Sequence, residues 1–453
     1  MKRLFPLLFL LVALAAASTP PRGARAEKKA AGGGWVSVRS QNFLVEGGAR
    51  ERDLRRVAAR LEEYRAAFSR LLSGEHFDAG VPTAVVVFPD DAAYAPFQPL
   101  LRGRAARGVS GYFQPGADVN YITVALEGGA DDPTLLHEYA HLLVNNHFSA
   151  APLWLKEGLA EFYSTARVSG DGRRLKLGEP PAQRVLQLRR SAELIPLATL
   201  FAVDQGSPFY SESGKRGLFY AQSWALVHYL SEARGGGREA LARFTSLLAG
   251  GAPVGEALRG AYGAGTPEVE AGLAAYVRAG RYPSAASDYA LPLDFEDSLS
   301  ARPLSEAEVA ARLGDLLLHT DRHDEAEGYL KRAVELDPRL GAARVSFGAL
   351  RLRQGRHAEA REQLRRAVEA DPSSHLAHYF LADALNREGA TGQADEFTFK
   401  EFEERTDEIR AELRRAMGLA PGFVETYKLL AAVELERGDR ADLAAELLRR
   451  ATK

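Results

Sequence analysis

Two rhythms of apolar and polar positions run through the first ninety residues. Trp35-Val-Ser-Val38 and Asn42-Phe-Leu-Val-Glu46 read as a pair of short strands. From about Arg50 to Leu72, Leu54, Val57, Leu61, Tyr64 and Phe68 recur at helical spacing and predict a long amphipathic helix. Val81 to Phe88 is a continuous apolar run, the pattern of a strand covered on both faces. From Pro133 to Ala279 helical periodicity dominates, so residues 35–283 predict an α+β unit, with an α/β part over 35–130 and a helical part over 131–283. Between 284 and 304 the periodicity lapses around Pro292 and Pro303, which predicts a linker.

Beyond residue 304 the pattern repeats. Asp337-Pro338 and Asp371-Pro372 lie 34 positions apart, as do Leu313/Phe347, Gly314/Gly348, Ala326/Ala360, Leu330/Leu364 and Ala333/Ala367. That period and these helical hairpins resemble tetratricopeptide repeats. Ala420-Pro421 closes a third unit after an insertion near Thr391 to Thr406, and Tyr427 to Ala451 makes a fourth, incomplete one. Each hairpin buries its apolar face only against its neighbours, so residues 305–453 predict an all-α solenoid with a concave surface for a protein partner. His319, His323, His375 and His378 read as turn or helix-surface residues, because no Glu accompanies them in a ligand pattern.

The chemistry sits in the helical part of the first unit. His137-Glu138-Tyr-Ala-His141 places two imidazoles one turn apart on a helix from Pro133 to about His147, where both reach one cation, with Glu138 beside them as a base. Asp131 or Asp132 can cap that helix, and Leu135, Leu136, Leu142 and Leu143 supply its buried surface. With ten His in 453 residues, the pattern arises by chance in only about one or two per cent of such chains. Trp154-Leu-Lys-Glu157-Gly-Leu-Ala-Glu161 follows as a second short helix with both carboxylates on one face.

Together the two segments resemble the gluzincin metallopeptidases, in particular the peptidase-MA-like domains related to aminopeptidase N and thermolysin. The resemblance implies Zn²⁺ as cofactor, His137, His141 and Glu157 as its ligands, Glu138 as general base, and Glu161 as a carboxylate that hydrogen-bonds a ligand histidine. Three protein ligands leave one position open for catalysis. Tyr220-Ala-Gln-Ser-Trp224-Ala-Leu-Val-His-Tyr-Leu230 is similar to the aminopeptidase N helix opened by a tyrosine, which implies Tyr220 as a donor to the developing oxyanion. Tyr220 reads equally well as an aromatic packed under Trp224, and His228 reads as a packing or surface residue. The Gly-x-Met-Glu-Asn motif by which aminopeptidases anchor a free amino terminus is absent. An endopeptidase, or an enzyme with one dedicated protein substrate, is therefore expected, with Gly108 to Val124 supplying an edge strand for an extended peptide.

Charge adds little: 58 Lys and Arg against 60 Asp and Glu give a net charge of −2 and no reason to expect nucleic acid or an anionic membrane as partner. The amino terminus adds more. Met1-Lys-Arg, an apolar run from Leu4 to Ala17 and the small-x-small pattern Ala24-Arg-Ala26 predict a cleaved secretory signal peptide over 1–26, too short for a comfortable membrane span. With no Cys there is neither a disulfide nor a lipid attachment site, which favours a bacterial periplasm or exterior.

Two readings stand. In the first the chain is an exported zinc metallopeptidase whose repeats recruit a partner or substrate; in the second it is a catalytically inactive peptidase fold that serves as a repeat scaffold. The intact Glu138 favours the first, because an inactive site has no chemical need of a base.

Overall fold

The computed structural model describes residues 34–71, 81–101, 104–105, 109–127, 129, 133–148, 151–169, 172–288, 295, 298–391, 399–436 and 440–451. The expected signal peptide, Asp131, Asp132 and residues 392–398 of the insertion after Thr391 lie outside them, as does the His147 side chain.

The amino-terminal elements follow their periodicity: β1 (Val36–Arg39), β2 (Leu44–Gly47), helix α1 (Glu51–Leu71) and β3 (Thr83–Phe88). An edge strand β4 (Gly111–Gln114), strand β5 (Asn120–Ala125), helix α2 (Pro133–Phe148) and helix α3 (Leu153–Ser164) come next. Strands β6 (Arg167–Val168) and β7 (Arg174–Leu177) interrupt the helical part, followed by helices α4 (Ala182–Arg190), α5 (Ser213–His228), α6 (Gly237–Ala249), α7 (Val254–Tyr262) and α8 (Thr266–Ala279).

The described stretches of residues 284–304 hold paired strands in place of the expected linker. Ala285–Asp288 forms β8, antiparallel to β7, and Ser300–Pro303 forms β9, antiparallel to β1. The second pairing makes β9 the outermost strand of a six-stranded sheet ordered β9-β1-β2-β3-β5-β4. Pro303 fits this strand because an edge strand tolerates a proline whose missing N–H faces away from its neighbour.

Helices α9 (Glu306–His319) and α10 (His323–Leu336), α11 (Gly341–Arg353) and α12 (His357–Ala370), α13 (His375–Thr391) and α14 (Phe399–Leu419), and α15 (Val424–Glu436) and α16 (Ala441–Ala451) form the hairpins expected from the repeat. A reciprocal capping box between Ser305 and Glu308 starts the first of them directly after β9.

The central strands are parallel and buried on both faces, as such strands require. Val38, Val45, Val85, Val87, Ile122 and Val124 face α1 and α2. Trp35, Val86, Phe88 and Tyr121 face the other way and pack against Val309, Leu313, Leu316 and Leu317 of α9. The sheet thus closes the first end of the solenoid.

A buried polar network joins the two. Arg312 Nε donates to Glu46 at 2.5 Å, and its Nη1 donates to the Tyr121 hydroxyl at 3.0 Å. Tyr121 donates in turn to Asp315, which also accepts from Ser346 at 2.6 Å. His319 Nε2 lies 2.9 Å from Asp118 in the turn between β4 and β5. His319 and His378 are therefore not surface residues: the first joins sheet to solenoid, and the second is fully buried against Glu412.

Candidate metal centre

Helix α2 is apolar on most of its circumference. Leu135, Leu136, Tyr139, Leu142, Leu143 and Val144 are buried, and Tyr139 packs edge-on against Phe43 and Tyr64. That packing leaves one polar stripe, formed by Thr134, His137, Glu138 and His141.

Helix α3 lies against α5 where a glycine permits it. A Cβ at Gly158 would stand 2.5 Å from the Ser223 carbonyl oxygen, so any larger residue would push α3 outward and carry Glu157 with it. Gly111 does the same for Glu138: a Cβ there would stand 2.5 Å from Thr134 Cγ2 and 3.1 Å from Glu138 Cγ. The base is thereby set against the start of edge strand β4, whose Phe113 amide donates to it.

Three donor groups converge. His137 Nε2 and His141 Nε2 are 3.0 Å apart, and Glu157 Oε2 lies 3.5 Å from the first and 3.3 Å from the second. Among the described residues this is the one group of three or more His, Cys, Asp or Glu close enough to share an ion. Ligands 2.0–2.1 Å from a common centre in a tetrahedral array stand about 3.3 Å from one another, so the spacing fits zinc. Glu157 Oε2 is buried without a hydrogen bond, an arrangement that costs free energy unless something else meets it. The two imidazole side chains keep 15% and 18% exposure against 4% for Glu157, which leaves the cluster open on the histidine side.

The electrostatics agree with the geometry. Burial pushes the Glu157 carboxyl up, but the two histidines outweigh it and hold it well below the usual carboxylate range. Burial pushes His137 down, but Glu157, Glu161 and Glu138 outweigh it and raise the imidazole to about 9. Burial dominates at Glu138 and raises its carboxyl, against the pull of both histidines.

Glu161 is on the expected face but does not hydrogen-bond the ligand histidine. Its carboxylate lies 3.7 Å from His137 Nδ1 and is gripped by Arg184, whose Nη2 and Nε donate at 2.5 and 3.0 Å. Arg184 makes two charge-assisted hydrogen bonds to the carboxylate, where an imidazole N–H could make only one. Tyr220 is brought to the site, its ring centroid 6.3 Å from that of His137, but it sits in the middle of α5 and does not open it. The helix begins at Ser213 and runs through Gly214 and Gly217, with no proline between Ser213 and Tyr220 to stop it. Arg184 lies over the Tyr220 ring at 5.1 Å, and the Tyr210 ring stacks with it, 6.3 Å between centroids. Arg184 and Tyr210 carry no local motif, so sequence reasoning passed over both. His228 packs: Nε2 lies 2.9 Å from the Gly178 carbonyl oxygen and Nδ1 2.9 Å from the Tyr276 hydroxyl, with no exposure.

Comparison with known proteins divides the chain as the fold does. Residues 305–373 match the tetratricopeptide-repeat family, and the carboxyl-terminal hairpins are such repeats, a fold that suggests a protein partner. Residues 132–255 match a family described as a protein of unknown function (DUF1570), a span that contains all the candidate site residues. No curated protein matches the chain. Among solved structures, the crystal structure of MamA is 20% identical over 32% of this chain and 76% of that one, with a TM-score of 0.27. A thermophilic tetratricopeptide protein in Thermus thermophilus is 20% identical over 32% of this chain and 72% of that one, with a TM-score of 0.29. At such TM-scores neither likeness adds to the repeat match itself.

Proposed function

We propose that this chain is an exported zinc-dependent metallopeptidase that cuts within a protein substrate, and that its repeats engage that substrate or a partner. The observation that carries the reading is Glu157 Oε2, buried and without a hydrogen bond, facing two imidazole nitrogens at 3.3 and 3.5 Å. Two imidazoles and a carboxylate also suit the borderline softness of zinc. When bound, zinc would supply Lewis acidity to the attacking water and the scissile carbonyl.

The chain's own residues do the rest. Glu138 takes the proton of the attacking water and passes it to the leaving nitrogen, and its raised carboxyl pKa brings it closer to the pH at which both transfers are efficient. Tyr220, whose burial raises its hydroxyl pKa well above the ordinary value, stays protonated and serves as hydrogen-bond donor to the oxyanion. The free edge of β4 pairs with the substrate backbone beside Glu138. Arg184 holds Glu161 and packs on Tyr220, which keeps both at fixed positions. Export rests on the amino-terminal pattern of Met1 to Ala26; among the described residues no helix is long and apolar enough to cross a membrane.

Glu138→Gln tests the reading. The amide preserves shape but accepts no proton, so zinc and fold should be retained while hydrolysis of an unfolded polypeptide falls by about 10²–10⁴-fold. Unchanged cleavage would remove Glu138 as the base. Stoichiometric zinc with no hydrolysis in the parent protein would support the scaffold reading, which the repeat match favours.

A further inference from the structure

The concave face of the repeats meets the sheet. Between them lies a groove of about 930 Å³, walled by Val345, Leu376, Tyr379 and Phe380 from the repeats and by Glu46 and Asp118 from the sheet. Asp118 belongs to the turn that ends edge strand β4. At its other end β4 begins at Gly111, in contact with Thr134 and Glu138 of the metal helix. β4 therefore runs from the candidate site to the groove, a distance of about 10 Å over its four residues. Among the described residues only β5 pairs with it, which leaves its outer edge, apart from the Phe113 amide that donates to Glu138, to take an extended chain. The turn is fastened at the groove end by the Asp118–His319 contact, which makes the track continuous with the interface between sheet and solenoid.

We propose that the groove and the free edge of β4 form one track for a single extended polypeptide, so that the repeats grip the substrate about half a dozen residues from the bond presented to Glu138. The cutting end of this track rests on the peptidase reading; the track itself does not.

The lining states the chemistry of the occupant. Six carboxylates line the groove, and each already has a cation: Glu46 has Arg312, Glu308 has Arg302, Asp118 and Asp315 have His319, Asp383 has Arg387, and Glu425 has Lys428. A basic segment would have to break these pairs, so the groove fits a stretch without basic side chains, whose apolar groups would meet Leu340, Val345, Leu376, Tyr379 and Phe380, of the kind an unfolded protein exposes.

Ala342 lines the groove on α11 and is exposed, so Ala342→Trp obstructs the track without entering a core. The probe is fluorescein-labelled α-lactalbumin, reduced and carbamidomethylated so that it stays unfolded, added to full-length protein carrying Glu138→Gln. Fluorescence anisotropy should show at least tenfold weaker binding when Ala342→Trp is added. Hydrogen exchange should show that the probe protects both the concave helices and the Gly111–Gln114 amides, and that Ala342→Trp removes both protections. Undiminished affinity, or protection of β4 that persists after the groove is blocked, overturns the proposal. If the parent protein cuts nothing yet both regions are protected together, the track stands and the peptidase reading fails. If the parent cuts the probe and Ala342→Trp leaves KM unchanged, the track fails and the peptidase reading stands.

Discussion

Two histidine clusters in this chain are built from the same parts and finished differently. His137 and His319 are both half-buried beside carboxylates, and in both the acids overcome the effect of burial and raise the imidazole to about 9. His319 has both ring nitrogens engaged, Nδ1 with the Asp315 carbonyl oxygen at 2.8 Å and Nε2 with Asp118 at 2.9 Å. At the other cluster the imidazoles face one another and Glu157, whose Oε2 is left over. A buried polar cluster whose members satisfy one another is a joint, whereas one that converges with an acceptor to spare leaves a buried oxygen that the surrounding protein does not satisfy.

Cutting the chain after Pro283 tests the joint most severely. It removes β8, β9 and helix α9, and so uncovers Trp35, Val86 and Phe88 on the repeat-facing side of the sheet. That fragment should aggregate or lack a cooperative thermal transition, and a melt matching the full-length protein would show that the sheet needs no cover on that face. Next in size is the metal. His141→Ala and Glu157→Ala should each reduce tightly bound zinc from one per chain to nearly none by elemental analysis, while His319→Ala should leave it at one. Zinc kept by the first two variants, or lost by the third, would erase the distinction between the clusters.

Arg312→Ala should cost about 3–5 kcal/mol in chemical denaturation, because it strands Glu46, which is 8% exposed, as an unpaired buried charge. A loss below about 1 kcal/mol would mean the pair behaves as an exposed one. The smallest effect is pH-dependent. His319 is raised from 6.5 to about 9, so its stabilisation is complete below about pH 6.5 and is lost as pH rises through 9. The stability difference between parent and His319→Gln should therefore be greatest near pH 6, about 3 kcal/mol at most, and shrink toward pH 10. A difference that grows with pH would reverse the assigned charge.

What could be read in the chain was local. Leu54, Val57, Leu61, Tyr64 and Phe68 predict α1 because they share one face of a single helix, and α1 spans Glu51–Leu71. The i,i+4 spacing of His137 and His141 places both imidazoles on one stripe by helix geometry alone. Arg184 could not be found in this way. It meets Glu161 across 23 positions, from a helix whose sequence shows only an ordinary run of basic and apolar residues. The strand Ser300–Pro303 carries no apolar alternation, since three of its four residues are exposed and none is buried.

The apolar spacing along α1, the histidine pair of α2 and the repeat period are written along the chain, because each is a pattern in consecutive or regularly spaced residues. Contacts between distant elements leave Glu157 with an oxygen to spare, give Arg184 the carboxylate expected to hold a histidine, and make Ser300–Pro303 close the sheet. Those outcomes depend on which elements pack together. Packing is settled by groups as distant as Glu46 and Arg312, 266 positions apart, which no local pattern connects.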